Sequence, residues 1–377
     1  MSWRPLPRGG FTGIDMARGH QLRDLLKTGN LPAPAVVRRA QVVIAGGGVA
    51  GLAAARALRL AGVHDFALLE LEDTAGGNSR GGAVNGVACP LGAHYLPVPG
   101  DDAPEVQDLL EELGLRQRVA GRWQYDERHL CHSPQERLFF DGEWQEGLLP
   151  VHGVGEATLA QYRRFAQAVE REAKAARFAM PALKLLGPKK PLAPAHQALD
   201  AMTFSAWLAQ EGLDDEHLLW YLNYCCRDDY GAGVARVSAW AGIHYFASRH
   251  GFHAPGEAVD EARESVLTWP EGNGWITQRL AEPLANTVNG GGQLRTATSV
   301  LRITEGRHGV EVDALNHRTG NVERWVAPQC IVALPVLLAA RVVQHRGAIV
   351  DAIERCREER VHDLLECRGV RVHASLD

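Results

Sequence analysis

Apolar residues run without interruption over Val42–Ala45 and again over Phe66–Leu69, each run bounded by glycine or polar positions. Short continuous apolar runs of this kind predict strands buried on both faces. Between them, Ala50 to about Ala61 is rich in Ala and Leu, strong helix formers, and Gly62 follows as a C-cap. Strand, helix, strand is the unit from which parallel sheets are built.

Elsewhere the pattern changes period. Pro104–Leu115 reads as an amphipathic helix ended by Gly114, and Leu159–Met180 as a helix with a solvated, mixed-charge face. Arg137–Trp144 reads as a hairpin around Asp141-Gly142. Lys184–Pro194 reads as a loop whose basic pair lies at the surface. Met202–Gly251 reads as three helices. Tyr221, Tyr224 and Asp228 share one face there, as do Trp240 and His244, and aromatics at helical spacing point to core. The charged run Arg227-Asp228-Asp229-Tyr230 sits between apolar turns and needs partners if buried; it reads as a structural ion-pair knot at the rim of a substrate cavity. Leu294–Leu315 reads as strand, turn, strand, with another strand in the run VERWVA; Ile349–Leu365 reads as a charged helix.

Composition narrows the class. The chain has 377 residues, enough for two domains, with a formal net charge of −5 and a pI near 6.4. Nothing in that balance points to a nucleic-acid surface. No apolar run is long enough for a transmembrane helix, and Met1–Ala40, with one short helical stretch around His20–Lys27, lacks the apolar core of an export signal. A cytoplasmic location is expected, or a periplasmic one if the natural N-terminus is longer. The seven cysteines include no C-x-x-C, and the reading is reduced, mostly buried thiols. With no H-E-x-x-H and no Cys/His cluster, no metal site is expected.

The chemistry concentrates after the first strand. Gly46, Gly48 and Gly51 form G-x-G-x-x-G directly behind it. The first glycine permits the tight turn, the second lets the backbone approach a pyrophosphate, and the third lets the helix pack on the strand. The helix N-terminus, including Val49 and Ala50, directs free N–H groups at the phosphates. Glu70 ends the second strand about 20 residues further on, where an acid accepts from ribose hydroxyls.

Gly76-Gly77 follow Glu70 at the spacing E-x(5)-G-G, and this extended motif resembles the FAD-binding signature of the flavin-containing amine oxidoreductase superfamily. The resemblance covers roughly Arg39–Pro335 and is strongest at both ends; it stops beyond Ala340. It implies FAD as cofactor. It places Gly92, Ala93 and His94, within the stretch Leu91–Tyr95, in a turn against the flavin ring. It places Gly272 and Gly274 in a second turn near the ring, and the backbone of Val300 on the adenine. Where the family often carries arginine after the glycine doublet, Asn78 stands here and Arg80 comes two residues later. His94 reads either as a substrate-side group or as a histidine packed in a loop; His244 is a further candidate, and no catalytic residue is assigned.

The fold expected is α/β: a glutathione-reductase-like Rossmann FAD-binding domain with an inserted, mostly helical substrate domain. The expected segments are an N-terminal extension (1–38), a first FAD-binding part (39–100), a substrate domain (101–265), a second FAD-binding part (266–340), and a C-terminal helix and tail (341–377). The function expected is hydride transfer from a small-molecule C–H bond, in an amine or a C–C bond, to the flavin. Two rivals stay open: a non-catalytic or truncated dinucleotide-binding protein, and an NAD(P)-dependent dehydrogenase. The family's closing flavin motif has no counterpart after Pro335, so a partner chain or oligomer covering that part is a further expectation.

Overall fold

The computed structural model describes residues 13–132, 136–185, 193–249, 251–256, 265–285, 292–306, 309–344 and 371–373. The expected helix Ile349–Leu365, the glycines Gly290-Gly291 and the stretch Leu186–Leu192 with its basic pair lie outside these residues. Contacts divide the chain into two compact units: one runs to Tyr95 and resumes at Trp269, the other comprises Leu96–Thr268.

The first unit is built on the expected strand–helix–strand. β1 (Val36–Arg39) is followed by β2 (Val42–Ala45), the helix α2 (Val49–Leu60) and β3 (Phe66–Leu69). Every residue of β2 and β3 is buried, as their unbroken apolar runs require. The main sheet has the order Leu294–Arg295, β3, β2, Gln329–Val332, Arg371–His373. All neighbours are parallel except the last pair. α2 buries Gly51, Leu52 and Ala55. A second sheet is an antiparallel meander of Thr298–Gly306, Gly309–Asn316 and Asn321–Ala327, with β1 added parallel at its edge. The two sheets share one core. Val43, Ala45, Ala67 and Leu69 pack with Val300, Ile303, Val312, Ala314 and Trp325.

The N-terminal helix α1 (Met16–Thr28) is longer than the stretch expected around His20–Lys27. Asp15 caps its start and Gly29, left-handed at φ 69°, ends it. Its Leu22 and Leu25 cover Leu301, Leu315 and Val322 of the meander.

The second unit holds six α-helices among its described residues, Pro104–Glu112, Glu156–Ala175, Pro194–Asp200, Phe204–Gln210, Glu216–Tyr230 and Ala239–Ala247. It also carries two hairpins. One is Arg137–Phe140 with Glu143–Glu146, turning at Asp141 and Gly142, both at positive φ. The other, Arg116–Val119 with Arg122–Tyr125, turns at Ala120-Gly121 in the same way and carries no Asn-Gly or Asp-Gly signal. The core is aromatic: Tyr162, Phe165, Phe204, Trp207, Trp240, Phe246 and Phe252 are all buried. The helix expected to reach Met180 stops at Ala175. The carbonyls of Arg177 and Ala179 instead accept from the rings of His196 (2.9 Å) and His244 (2.8 Å).

Candidate cofactor-binding site

The glycine turn is tightly determined. Gly46 takes φ 104°, and its N–H donates to the Leu69 carbonyl at 2.9 Å. A Cβ at Gly51 would lie 1.9 Å from the Gly46 carbonyl oxygen, so only glycine lets α2 seat against the turn. A Cβ at Gly48 would meet nothing nearer than the Gly77 Cα at 3.9 Å. Gly48 is the N-cap of α2 and offers no side chain to the first helical turn, and Val49 and Ala50 are exposed. The helix therefore presents uncapped N–H groups and its positive end to an open surface, which suits a phosphate.

Glu70 is 8% exposed, and its carboxylate is held by the chain itself. One oxygen accepts from the Gly47 N–H and the other from the Glu72 N–H, both at 2.8 Å. Burial pushes its pKa above the ordinary glutamate value, against those two bonds and the nearby Arg80 charge. A carboxylate has about four acceptor directions, so two bonds leave capacity for a ribose hydroxyl.

The glycine doublet is stitched to the Gly46–Gly51 turn. The Gly76 N–H donates to the Gly47 carbonyl at 2.8 Å, and Gly76 bridges Gly48. The turn that follows, Gly77–Ser79, leaves Asn78 exposed. Arg80 turns inward: its Nε donates to the Gly77 carbonyl at 3.1 Å and a terminal nitrogen lies 3.9 Å from the Glu72 carboxylate. Of Asn78 and Arg80, the two residues near the family's arginine position, Arg80 braces the doublet.

Two further segments converge here. The Asn78 carbonyl accepts from the Ala93 N–H at 2.8 Å, and a Cβ at Gly92 would lie 2.1 Å from that oxygen. The Asn273 N–H donates to the Ala93 carbonyl (3.0 Å) and its side-chain amide to the Tyr95 carbonyl (2.8 Å). Thr277 Oγ1, buried, donates to the Ser79 carbonyl at 2.9 Å. Gly274 opens the helix Gly274–Ala285, where a Cβ would collide with the Gly81 nitrogen at 2.3 Å. Asn273 and Thr277 were not singled out from sequence; the only signal was a polar residue between two glycines and another on the buried face of an apolar helix. His94 is exposed, its ring edge-on to Tyr95 at 4.8 Å. Val300 is buried on the meander, beside a bulge between Val300 and Arg302.

His244 lies in the other unit. Its ring stacks on Trp240 at 4.6 Å, and burial holds its pKa below the ordinary histidine value. His196, not noticed in the sequence, accepts from the Trp240 indole N–H at 2.8 Å and is depressed by burial in the same way. The ion pair expected in the run Arg227–Tyr230 forms between Asp229 and Arg249 at 2.8 Å, while Tyr230 donates to the Ala241 carbonyl. Cys225 and Cys226 are buried, and desolvation pushes both thiols up to about 12. No group of metal-ligating side chains forms among the described residues, and none of their helices is long and apolar enough to cross a membrane.

A glycine turn, a strand-end acid and a glycine doublet beside a largely parallel sheet, in a mixed α/β fold, form the arrangement that suits a dinucleotide. The sequence matches the family model of the flavin containing amine oxidoreductases over residues 49–355, and the chain belongs to that family, whose cofactor is FAD. The match runs past Ala340, further than the motifs alone carried it. No curated protein matches the sequence. Among solved structures, a double mutant of putrescine oxidase aligns with TM-score 0.62 at 22% identity, over 84% of this chain and 64% of that one. Cyclohexylamine oxidase from Brevibacterium oxydans IH-35A gives 0.54 at 20%, over 81% and 60%. A fatty acid isomerase from P. acnes gives 0.53 at 18%, over 84% and 64%. At these identities the likeness is one of fold, and the chain spans less than two thirds of each of these structures.

Proposed function

We propose that this chain is an FAD-dependent oxidoreductase acting on a small-molecule C–H bond, its first unit a glutathione-reductase-like Rossmann domain. The observation that carries the reading is the joining of the phosphate turn to the glycine doublet through the Gly76–Gly47 hydrogen bond, beside an uncapped helix N-terminus. In this reading the turn Gly46–Gly51 and α2 hold the pyrophosphate, Glu70 accepts from the ribose, and the Val300 backbone meets the adenine. The turn Gly92–His94, braced by Asn273, lies against the ring. When bound, FAD supplies the acceptor for a hydride from the substrate. The residues present fit that cofactor: around Gly48, beside the uncapped helix end, a Cβ would meet only the Gly77 Cα at 3.9 Å, which leaves room for a phosphate.

Amine substrates are favoured by the two amine oxidases among the structural neighbours; the isomerase on the same fold keeps C–C chemistry in the test, since fold does not set reaction. The glycine doublet argues against a plain NAD(P) dehydrogenase. The experiment is a visible spectrum of the purified chain, then acid release and identification of the cofactor. Flavin bands with FAD released, bleached anaerobically by an amine, are expected. A protein that stays colourless after FAD is added overturns the proposal.

A further inference from the structure

The first unit has a cleft of about 260 Å³ whose lining includes Arg38, Arg295, Arg318, Thr296, Asn316 and Glu323. Three guanidinium groups share it with a single carboxylate. That carboxylate is already engaged. Arg38 donates to both Glu323 oxygens, at 2.6 and 3.2 Å, and the Asn316 amide donates to one of them at 3.2 Å. Arg318 donates to the Thr296 hydroxyl at 2.6 Å, lies 3.9 Å from the exposed Asp73 carboxylate and leaves most of its own side chain exposed. Arg295 is different. It is half-buried, and its guanidinium finds no hydrogen-bond acceptor among the described residues. It lies 5.9 Å from the ring of Trp325, with Arg38 at 5.6 Å from the same ring.

A half-buried cation with like charge beside it and no acceptor is an unfavourable arrangement on its own. Burial and the Arg38 charge both press the Arg295 guanidinium toward its neutral form, and Glu323 only partly offsets them. Guanidinium groups match oxyanions in pairs, through planar N–H forks. The threonine and asparagine groups add neutral partners of the kind that complete a phosphate shell.

We propose that this cleft binds a phosphate dianion, free or as a small phosphate monoester, with Arg295 as its principal ligand and Arg318 as the second. No residue of the glycine turn lines this cleft, although the Arg295 carbonyl accepts from the Glu70 N–H at 2.8 Å; the inference does not depend on the flavin reading.

The test is calorimetric titration of the purified chain with inorganic phosphate and with glycerol 2-phosphate, at constant ionic strength set by chloride. Saturable binding is expected, weakened at least tenfold by Arg295→Gln and less by Arg318→Gln. Because Arg295 has no acceptor among the described residues, R295Q should melt no lower than wild type without phosphate, and should lose the rise in melting temperature that phosphate gives the wild type. Tighter binding of the ester identifies a metabolite site, and equal binding identifies a free-phosphate site; both uphold the proposal. Absence of saturable binding, or equal affinity in wild type and R295Q, overturns it. Flavin content measured on the same samples reports separately on the cofactor reading.

Discussion

The two units solve the placement of polar groups in opposite ways. In the first, the candidate chemistry is made by backbone and by missing side chains: Gly47, Gly48, Gly76 and Gly92 bring main-chain atoms together, and the Glu70 carboxylate accepts from two of the main-chain N–H groups there. In the second, side chains that look reactive are absorbed by packing. His196, His244, Cys225 and Cys226 all sit in or beside an aromatic core, and burial moves every one toward its neutral form. A histidine or cysteine count is therefore a poor guide to this molecule's chemistry, whereas glycine spacing is a good one.

The sharpest way to break this contrast is at Gly51. Gly51→Ala drives a methyl into the Gly46 carbonyl and should cost about 1–3 kcal/mol or more of stability, with loss of bound FAD. Denaturant midpoints and flavin content check it, and a variant that keeps both would remove the steric account of the turn. Next in size is Glu70→Ala, which leaves the Gly47 and Glu72 N–H groups without their acceptor, at about 1–3 kcal/mol for each one that stays buried. Glu70→Gln should recover part of the loss. Because burial raises the folded pKa of Glu70, its stabilising contribution is full below the unfolded glutamate value and falls as pH rises through the folded one. The gap between wild type and E70Q, in urea midpoints taken across that range, should narrow with rising pH.

The histidines of the second unit titrate with the opposite sense. Their folded pKa values are depressed, so the stability tied to the neutral rings is complete above about 6.5 and is lost as pH falls below it. His196→Gln and His244→Gln should each flatten that acid-side loss, followed by the same urea titrations. The smallest expected effect is chemical: at pH 8 an alkylating reagent should leave Cys225 and Cys226 unmodified in the native protein and label them only after unfolding. Native labelling would show that the helical core opens far more readily than its packing implies.

The first unit was legible because its determinants are local. The spacing of Gly46, Gly48 and Gly51, the runs Val42–Ala45 and Phe66–Leu69 and the strand-end Glu70 all fall within one short stretch, and each has a single geometric meaning. What escaped were pairings set by distant chain. Thr277 reaches Ser79 across 198 positions, and Asp229 finds Arg249 on another element. The Arg116–Tyr125 hairpin escaped because Ala120 holds a positive φ that alanine rarely signals. The end of the helix at Ala175 depends on two histidines claiming carbonyls beyond it, which no periodicity within that helix records.

The strand Gln329–Val332 pairs directly with β2, in register from Val42 to Ala45. During synthesis, β2 leaves the ribosome long before its partner has been translated. At roughly 5–20 residues per second the delay is on the order of tens of seconds. For that interval two wholly apolar strands, β2 and β3, have an unpaired edge, while the intervening Leu96–Thr268 is made and is free to settle its own core. The nascent chain is therefore exposed to self-association at its most hydrophobic point, and its yield in a cell should depend on chaperone supply and on the speed of translation through the stretch between them.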